Sequence, residues 1–113
     1  MCKFLIRKGT KKHILHSSTV QVIIARGRTT EFVEIDPVLK KITARHTSSY
    51  NLGYYVKRIE GSELWQCHDS FVVNKNFVTA INADNTLDLL VPVGQSISVA
   101  RRRFAAFKEA LGL

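Results

Sequence analysis

The segment LWQCHDSFVVNKN, residues 64–76, brings together four residue types that could do chemistry. A thiol, an imidazole, a carboxylate and a hydroxyl follow one another as Cys67, His68, Asp69 and Ser70. Such a set could serve a hydrolase triad, a metal site or the recognition of another molecule. The spacing of these residues, and what the rest of the chain can supply, distinguishes the three.

The spacing argues against catalysis and against a metal site. Neighbours in a strand point to opposite faces, so His68, Asp69 and Ser70 cannot easily form a triad. The sequence has no G-x-S-x-G motif for a nucleophile elbow. Zinc needs about four ligands at coordinating spacing, and there is no C-x-x-C or H-x-x-x-H pair. We therefore expect no catalytic residue, no metal and no cofactor.

Cys67 has two readings, a redox switch or a small apolar residue of the core. A redox-sensing thiol needs a lowered pKa and usually a second thiol to resolve it. Cys2 is the only other cysteine. A buried strand position is the commoner setting for a free cysteine. The sequence therefore predicts a structural Cys67, with Trp65 and Phe71 also in the core and Asn74 capping the turn after FVV.

The charge of the chain indicates a polyanionic partner. The 113 residues include 17 Lys plus Arg and 9 Asp plus Glu, for a net charge of +8. Residues 1–30 contain seven basic residues and no acid. Such asymmetry is typical of proteins that bind nucleic acid or an anionic membrane surface. An inert, solvated basic face is the alternative.

The residue pattern predicts a mainly β domain. Strands are predicted by β-branched and alternating apolar runs, and turns by Gly, Pro and Asn. The predicted strands cover residues 3–8, 11–16, 20–25, 31–35, 39–46, 77–82, 87–91 and 96–99, with a turn at 27–30. Apolar residues at helical spacing predict a helix within 48–59, capped by Ser48 or Ser49, and a second helix from residue 100 to Gly112.

The start of the last helix breaks a local rule. Arg101, Arg102 and Arg103 are predicted to occupy its first turn, where the helix dipole favours acids. Three cations beside unpaired N–H groups would suit a phosphate. The alternative is that the arginines bend away into water, or that Arg103 covers the apolar ring of Phe107.

The run LWQCHDSFVVN, residues 64–74, resembles the signature of the LytTR family of DNA-binding domains. It has an aromatic residue, a Cys position, then His-x-Ser-aromatic-aliphatic-aliphatic-Asn. Residues 4–35, the segment TSSYNLGYYVKRI and SISVARRRF stand where the family has its first strands, its central helix and the start of its last helix. The Cys-His pair is closest to the quorum-sensing regulators of the family.

This resemblance implies an elongated fold of antiparallel β-sheets, with one short central helix and a C-terminal helix. It also implies that loops, rather than a recognition helix, enter successive major grooves of DNA. The DNA contacts in the family come from the first long hairpin loop, the residue beside the motif His and the Arg that opens the last helix. Carried to this sequence, the candidate DNA-binding residues are Arg26, Arg28, Thr29, Thr30, His68, Asp69, Arg101 and Arg102.

Three positions depart from the family pattern. Asp69 stands where Arg, Lys or Asn is common, and an acid cannot bind phosphate; it could accept from a cytosine amino group or serve only as a turn residue. Thr30 stands where some members carry a base-reading His. Ser96 stands where the quorum-sensing type has a partner for its motif Cys, so that redox switch does not transfer.

Together these observations predict a bacterial transcriptional regulator that binds double-stranded DNA, with a dimer on repeated half-sites as one arrangement. We expect residues 1–113 to form a single domain without a receiver domain. No run of about 20 apolar residues and no signal peptide is visible, so we expect a cytoplasmic protein with no membrane partner. A module that binds RNA or a protein through the same basic face is the alternative, and a small enzyme comes third.

Overall fold

A five-stranded antiparallel sheet forms the centre of the molecule, for which a computed structural model describes residues 2–113. Its strand order is β5-β4-β3-β7-β6, and two-stranded sheets β1-β2 and β8-β9 flank it. The strands are β1 (Lys3–Lys8), β2 (Lys11–His16), β3 (Val20–Arg26), β4 (Thr29–Asp36), β5 (Lys41–Ser48), β6 (Leu64–His68), β7 (Phe71–Asn74), β8 (Val78–Ile81) and β9 (Leu87–Leu89). The helices are α1 (Leu52–Val56) and α2 (Phe104–Ala110).

Strand β3 is buried on both faces because a layer packs against each side of the central sheet. Val22 and Ile24 join one apolar cluster, and Val20 and Ile23 join the other. Simple alternation would put Val20 with Val22, but a register shift lies between them against β4. This bulge lets both faces of β3 carry apolar residues into a core.

The two layers explain the order of the remaining elements. One cluster combines the β1-β2 hairpin, through Phe4 and Ile6, with Tyr55 of α1. The other combines the strands β8 and β9, the chain after them and α2, whose Phe107 is fully buried against the ring of Trp65. The molecule measures 44 × 30 × 25 Å, so the predicted elongated, mainly β architecture is confirmed.

Several predicted boundaries were wrong. The central helix begins after Asn51, whose side chain accepts from Tyr54 N, and Ser48 belongs to β5. Residues 96–99 form no strand in the described chain; Ser98 makes one isolated bridge to Thr86. The turn predicted at 27–30 is shorter, because Thr29 and Thr30 already pair in β4.

The last helix also begins later than predicted. Residues 101–103 form a 3₁₀ turn, and α2 starts at Phe104. Gly112 follows the helix with a φ of 79°, a left-handed conformation that glycine adopts readily and that suits the predicted helix end. Within residues 2–113, no helix is long and apolar enough to cross a membrane.

Candidate nucleic-acid interface

Three segments predicted to contact DNA lie at one end of the central sheet. Strand β3 pairs with β7, with Ile24 opposite Phe71, so the end of β3 lies beside the start of β7. Ala25 N donates to Ser70 O at 2.9 Å, which joins the β3-β4 turn to the β6-β7 turn. Ala100 N donates to Cys67 O at 2.8 Å and brings the start of the last helix to the same place. The sequence places these segments far apart, and the backbone hydrogen bonds bring them together.

The β3-β4 turn presents one arginine that is engaged and one that is free. Arg26 Nη2 donates to Glu31 Oε1 at 3.0 Å and to Gln95 Oε1 at 2.6 Å. Gly27 has a φ of 65°, which lets the chain reverse within two residues. Arg28, at the tip, is exposed and makes no ion pair among the described residues. Arg28 is therefore the residue of this turn that is ready for an anion or a base.

The two threonines of the turn have structural partners. Thr29 Oγ1 donates to Arg26 O at 3.0 Å and holds the turn. Thr30 is fully buried, and its hydroxyl donates to Tyr50 O at 2.8 Å. A side chain without accessible surface cannot touch DNA unless the strand moves. The geometry therefore gives Thr30 a positioning role, in place of the DNA contact expected from the sequence.

His68 is held in a defined orientation at the end of β6. Its Nδ1 accepts a hydrogen bond from Ser70 N at 3.0 Å, and its ring packs against Phe71 with 5.2 Å between centroids. Because Nδ1 accepts, the proton of the neutral ring lies on Nε2. His68 is half-buried, and Nε2–H is the donor it can offer to a ligand.

Asp69 pairs with the arginines at the start of the last helix. Its Oδ1 accepts from Arg102 Nη2 at 2.6 Å and from Arg103 Nη2 at 3.1 Å. The hydrogen bond from Arg103 and the charge of Arg102 lower the pKa of Asp69, so the carboxylate stays ionised at neutral pH. The sequence suggested that no acid offsets the three positive charges at the start of the last helix. The structure shows that Asp69 offsets part of them. Asp69 therefore neutralises part of the positive charge of residues 101–103 and holds the side chains of Arg102 and Arg103 by hydrogen bonds.

Arg101 is the arginine that Asp69 leaves free. Its side chain is exposed, and no carboxylate of residues 2–113 pairs with it. It follows Ala100, whose N–H is bonded to β6, so the backbone on which Arg101 stands is fixed. Arg28, His68 Nε2 and Arg101 thus form a cationic and donor-rich edge at one end of the sheet.

Cys67 is buried in the core beneath this edge. Its side chain has no accessible surface, and Sγ lies 3.5 Å from Ser98 O and 3.7 Å from Phe71 O. Burial raises the pKa of the Cys67 thiol to about 12, so the reactive thiolate is absent at neutral pH. The predicted burial is confirmed.

Mild oxidant should therefore leave DNA affinity essentially unchanged. Oxidation requires an accessible thiolate, and Cys67 offers neither the access nor the charge. The measurement is duplex affinity before and after peroxide treatment, with a Cys2→Ser variant as the matched control for the other thiol. A large loss of binding that a thiol reductant reverses, in wild type and in Cys2→Ser alike, would show that Cys67 does respond.

Asn74 plays a larger part than the local cap predicted from the sequence. Its Oδ1 accepts from Asn76 N at 2.9 Å, which is the predicted cap. Its Nδ2 also donates to Ser17 O at 3.1 Å and to Val20 O at 3.0 Å. Asn74 thereby fixes the far end of β7 to the start of β3, whose other end carries the candidate interface.

Some side-chain contacts that hold the fold together had no clear signal in the sequence. Gln21 is fully buried and exchanges two hydrogen bonds with the backbone of Val91, at 2.7 and 2.9 Å. The two residues are 70 positions apart, so the local sequence pattern could not predict this pairing. Arg103, in contrast, could have been paired with Asp69 from the sequence, since an acid replaces the family's usual base there.

No metal or hydrolase geometry is visible in the part of the chain that the structure describes. No group of three or more His, Cys, Asp or Glu side chains could hold a metal ion there. His68 Nδ1 is bonded to the backbone of Ser70 rather than to a carboxylate, and Asp69 is bonded to arginines.

The family model of the LytTr DNA-binding domain matches residues 37–112. The chain belongs to the LytTR family. The match covers about two thirds of the chain and includes His68, Asp69, Arg101 and Arg102. Residues 26–30 lie before it, so the family model does not cover the candidate residues of the β3-β4 turn. The resemblance seen in the sequence is confirmed.

A solved structure supports the same fold over the whole LytTR chain. The chain is similar to the LytTr DNA-binding domain of a Bacillus cereus protein assigned as a DNA response regulator, with a TM-score of 0.74 and 21% identity. The alignment covers 100% of this chain and 99% of that one. At this identity the likeness shows the fold. No curated protein sequence matches this chain.

Proposed function

We propose that this LytTR domain binds double-stranded DNA sequence-selectively and acts as a bacterial transcriptional regulator in the cytoplasm. The observation that carries the proposal is the convergence of the β3-β4 turn, the β6-β7 turn and the start of the last helix at one end of the sheet. Arg28 and Arg101 are exposed on that end, and neither has an acidic partner within residues 2–113. Membership of a DNA-binding family supports the choice of ligand.

In this proposal the free arginines read bases and the remaining groups position the domain. The fork of an arginine can meet O6 and N7 of guanine with two hydrogen bonds in the major groove. Arg28 and Arg101 would each enter a major groove, and His68 Nε2–H would donate to a phosphate or base between them. Arg26 and Arg102, each paired with a carboxylate, would lie along the sugar-phosphate backbone of the DNA. Residues 1–113 would act as a single domain, one for each half-site.

The two predicted acceptor roles of Asp69 can now be compared. A carboxylate could accept from a cytosine amino group. Its Oδ1 already accepts from both Arg102 and Arg103, so the carboxylate is oriented toward the start of the last helix. We therefore give Asp69 the role of orienting the helix start, with Arg101 as the residue that reads.

RNA binding is a second candidate because of two exposed aromatic side chains. Tyr50 and Tyr54 are 53% and 38% exposed, although the sequence placed most aromatics at core positions. Proteins that read single-stranded RNA stack bases on such rings. Here the two rings stack on each other at 4.3 Å, and Arg58 covers Tyr54 at 3.7 Å from its centroid. Both faces of Tyr54 are therefore covered, and Tyr50 offers a single free face for a base, so duplex DNA remains the better ligand.

Salt dependence tests the proposed function most directly. The affinity for duplex should fall log-linearly with salt, with a slope of about −0.9 for each phosphate contacted. The purified domain would first select sites from a random duplex pool, and the best site would then be titrated from low to high salt. Single-stranded RNA of matched length serves as the comparison. Absence of duplex binding at low salt, or tighter binding to RNA, would refute the proposal.

A further inference from the structure

A basic cleft lies beside the proposed base-reading edge, between the outer face of the β1-β2 hairpin and the junction of β5 with α1. It has a volume of about 720 Å³. Its lining combines cations, hydroxyl groups and aromatic rings, and none of the described residues that line it is acidic. The polar lining includes Arg7, Lys12, Thr29, Thr47, Tyr50 and Tyr54. These are the side-chain types that contact the phosphates and sugars of DNA.

Two cations face each other on the hairpin side of the cleft. Arg7 lies directly opposite Lys12 in the β1-β2 register, and both are exposed. Neither forms an ion pair among the described residues. Like charges directly opposite in an antiparallel pair destabilise it. An anion seated between Arg7 and Lys12 would relieve this repulsion, so the hairpin is suited to a bound phosphate.

The opposite side of the cleft is a preorganised wall of tyrosines. The stacked rings of Tyr50 and Tyr54 are nearly parallel, at 15°. Tyr54 also packs edge-on against the buried ring of Tyr55, at 5.0 Å. The carbonyl of Tyr50 accepts the hydroxyl of buried Thr30. Thr30 was expected to contact DNA and instead fixes the wall of this cleft.

We propose that the cleft binds the sugar-phosphate backbone of the DNA duplex, flanking the bases that Arg28 reads. Thr29 lines the cleft and is the next residue after Arg28, so a duplex engaged by the turn would continue into it. Arg7 and Lys12 lie outside the residues that the family model matches. The inference rests on the proposed function, and it adds a binding site that reads no sequence.

The test is the double variant Arg7→Gln/Lys12→Gln. Each cation that loses a phosphate should reduce the salt slope by about one, so the slope should become shallower by about two. The change should be equal on the selected duplex and on a scrambled duplex of the same length. Lys41→Gln is the matched control, because Lys41 is exposed at the other end of β4 and β5. It should leave the slope unchanged.

The experiment distinguishes a variant that fails to fold from one that folds and binds DNA differently. Removing two opposed cations should not lower the thermal midpoint of unfolding, which is measured on the same samples. An unchanged slope in the folded double variant would overturn the cleft assignment, and would leave the surface to a partner such as an acidic protein. A loss of preference for the selected duplex would also overturn it, because the cleft would then read bases. If wild type binds neither duplex, the proposed function itself fails.

Discussion

Replacement of Arg101 by alanine is expected to abolish sequence-selective DNA binding while the domain stays folded. Arg101 is exposed, lies before α2 and contributes to neither apolar cluster. It is also the cation of the 101–103 turn that Asp69 leaves free. Circular dichroism should match wild type, and affinity for the selected duplex should fall to that of a scrambled duplex. A folded Arg101→Ala protein with wild-type affinity would contradict the assignment.

The variant Arg101→Lys separates the reading of a base from the neutralisation of a phosphate. Lysine keeps the charge and loses the fork that meets guanine with two hydrogen bonds. If Arg101 reads a base, this change should cost about 1–3 kcal/mol on the selected site and relax the preference at one position. A small, equal loss on all duplexes would show that Arg101 only touches phosphate.

Neighbouring arginines provide matched controls. Arg102→Lys keeps a charge that can still pair with Asp69, so it should change the preference little. Arg28→Ala should reduce specific binding less than Arg101→Ala. Arg28 lies at the tip of a hairpin turn, whereas the backbone before Arg101 is held to β6 by the Ala100 hydrogen bond. A larger effect of Arg102→Lys than of Arg101→Lys would move the reading role to the paired arginine.

The elements that sequence analysis located are those whose determinants are local. The β1-β2 hairpin has its Gly9 turn between two short strands, and strand β3 is rich in β-branched residues and largely apolar. Both were placed within a residue or so. Residues 96–99 look equally strand-like, yet within the described residues their one β-bridge joins Ser98 to Thr86. That segment packs into the core through Ile97 and Val99 without a full partner strand, which no local pattern reveals.

The sequence predicted which chain segments form the candidate site better than it predicted the role of each side chain in it. The resemblance located the three segments, and the backbone hydrogen bonds show that they lie at one end of the sheet. The partners of individual side chains could not be predicted, because they span long separations: Asp69 reaches Arg102 across 33 positions and Thr30 reaches Tyr50 across 20. The burial of Thr30 leaves no surface for a contact, and the pairing of Asp69 with two arginines leads us to propose a supporting role for it. Base reading by Arg28 and Arg101 remains our proposal, because neither side chain has an acidic partner among the described residues.

Replacement of Asn74 by aspartate should cause the largest loss of stability. The substitution keeps the shape and the acceptor for Asn76 N, but it removes both hydrogen atoms donated to Ser17 O and Val20 O. A carboxylate would then face two carbonyl oxygens at a fully buried position. An uncompensated buried charge costs roughly 3–5 kcal/mol. Asn74→Ala, which leaves the two carbonyls unpaired without a charge, should cost about 1–3 kcal/mol.

The pH dependence identifies the cause of the loss in Asn74→Asp. Burial against two carbonyls should raise the pKa of the new carboxyl group in the folded state above its unfolded value. The folded state then binds more protons, so stability is highest below the unfolded pKa and falls as pH rises through the folded pKa. Urea unfolding at acidic and neutral pH would measure this trend. Asn76→Asp, at an exposed position, is the matched control and should change stability by less than about 0.5 kcal/mol. A loss that is independent of pH would show that the two lost hydrogen bonds, rather than a buried charge, destabilise the variant.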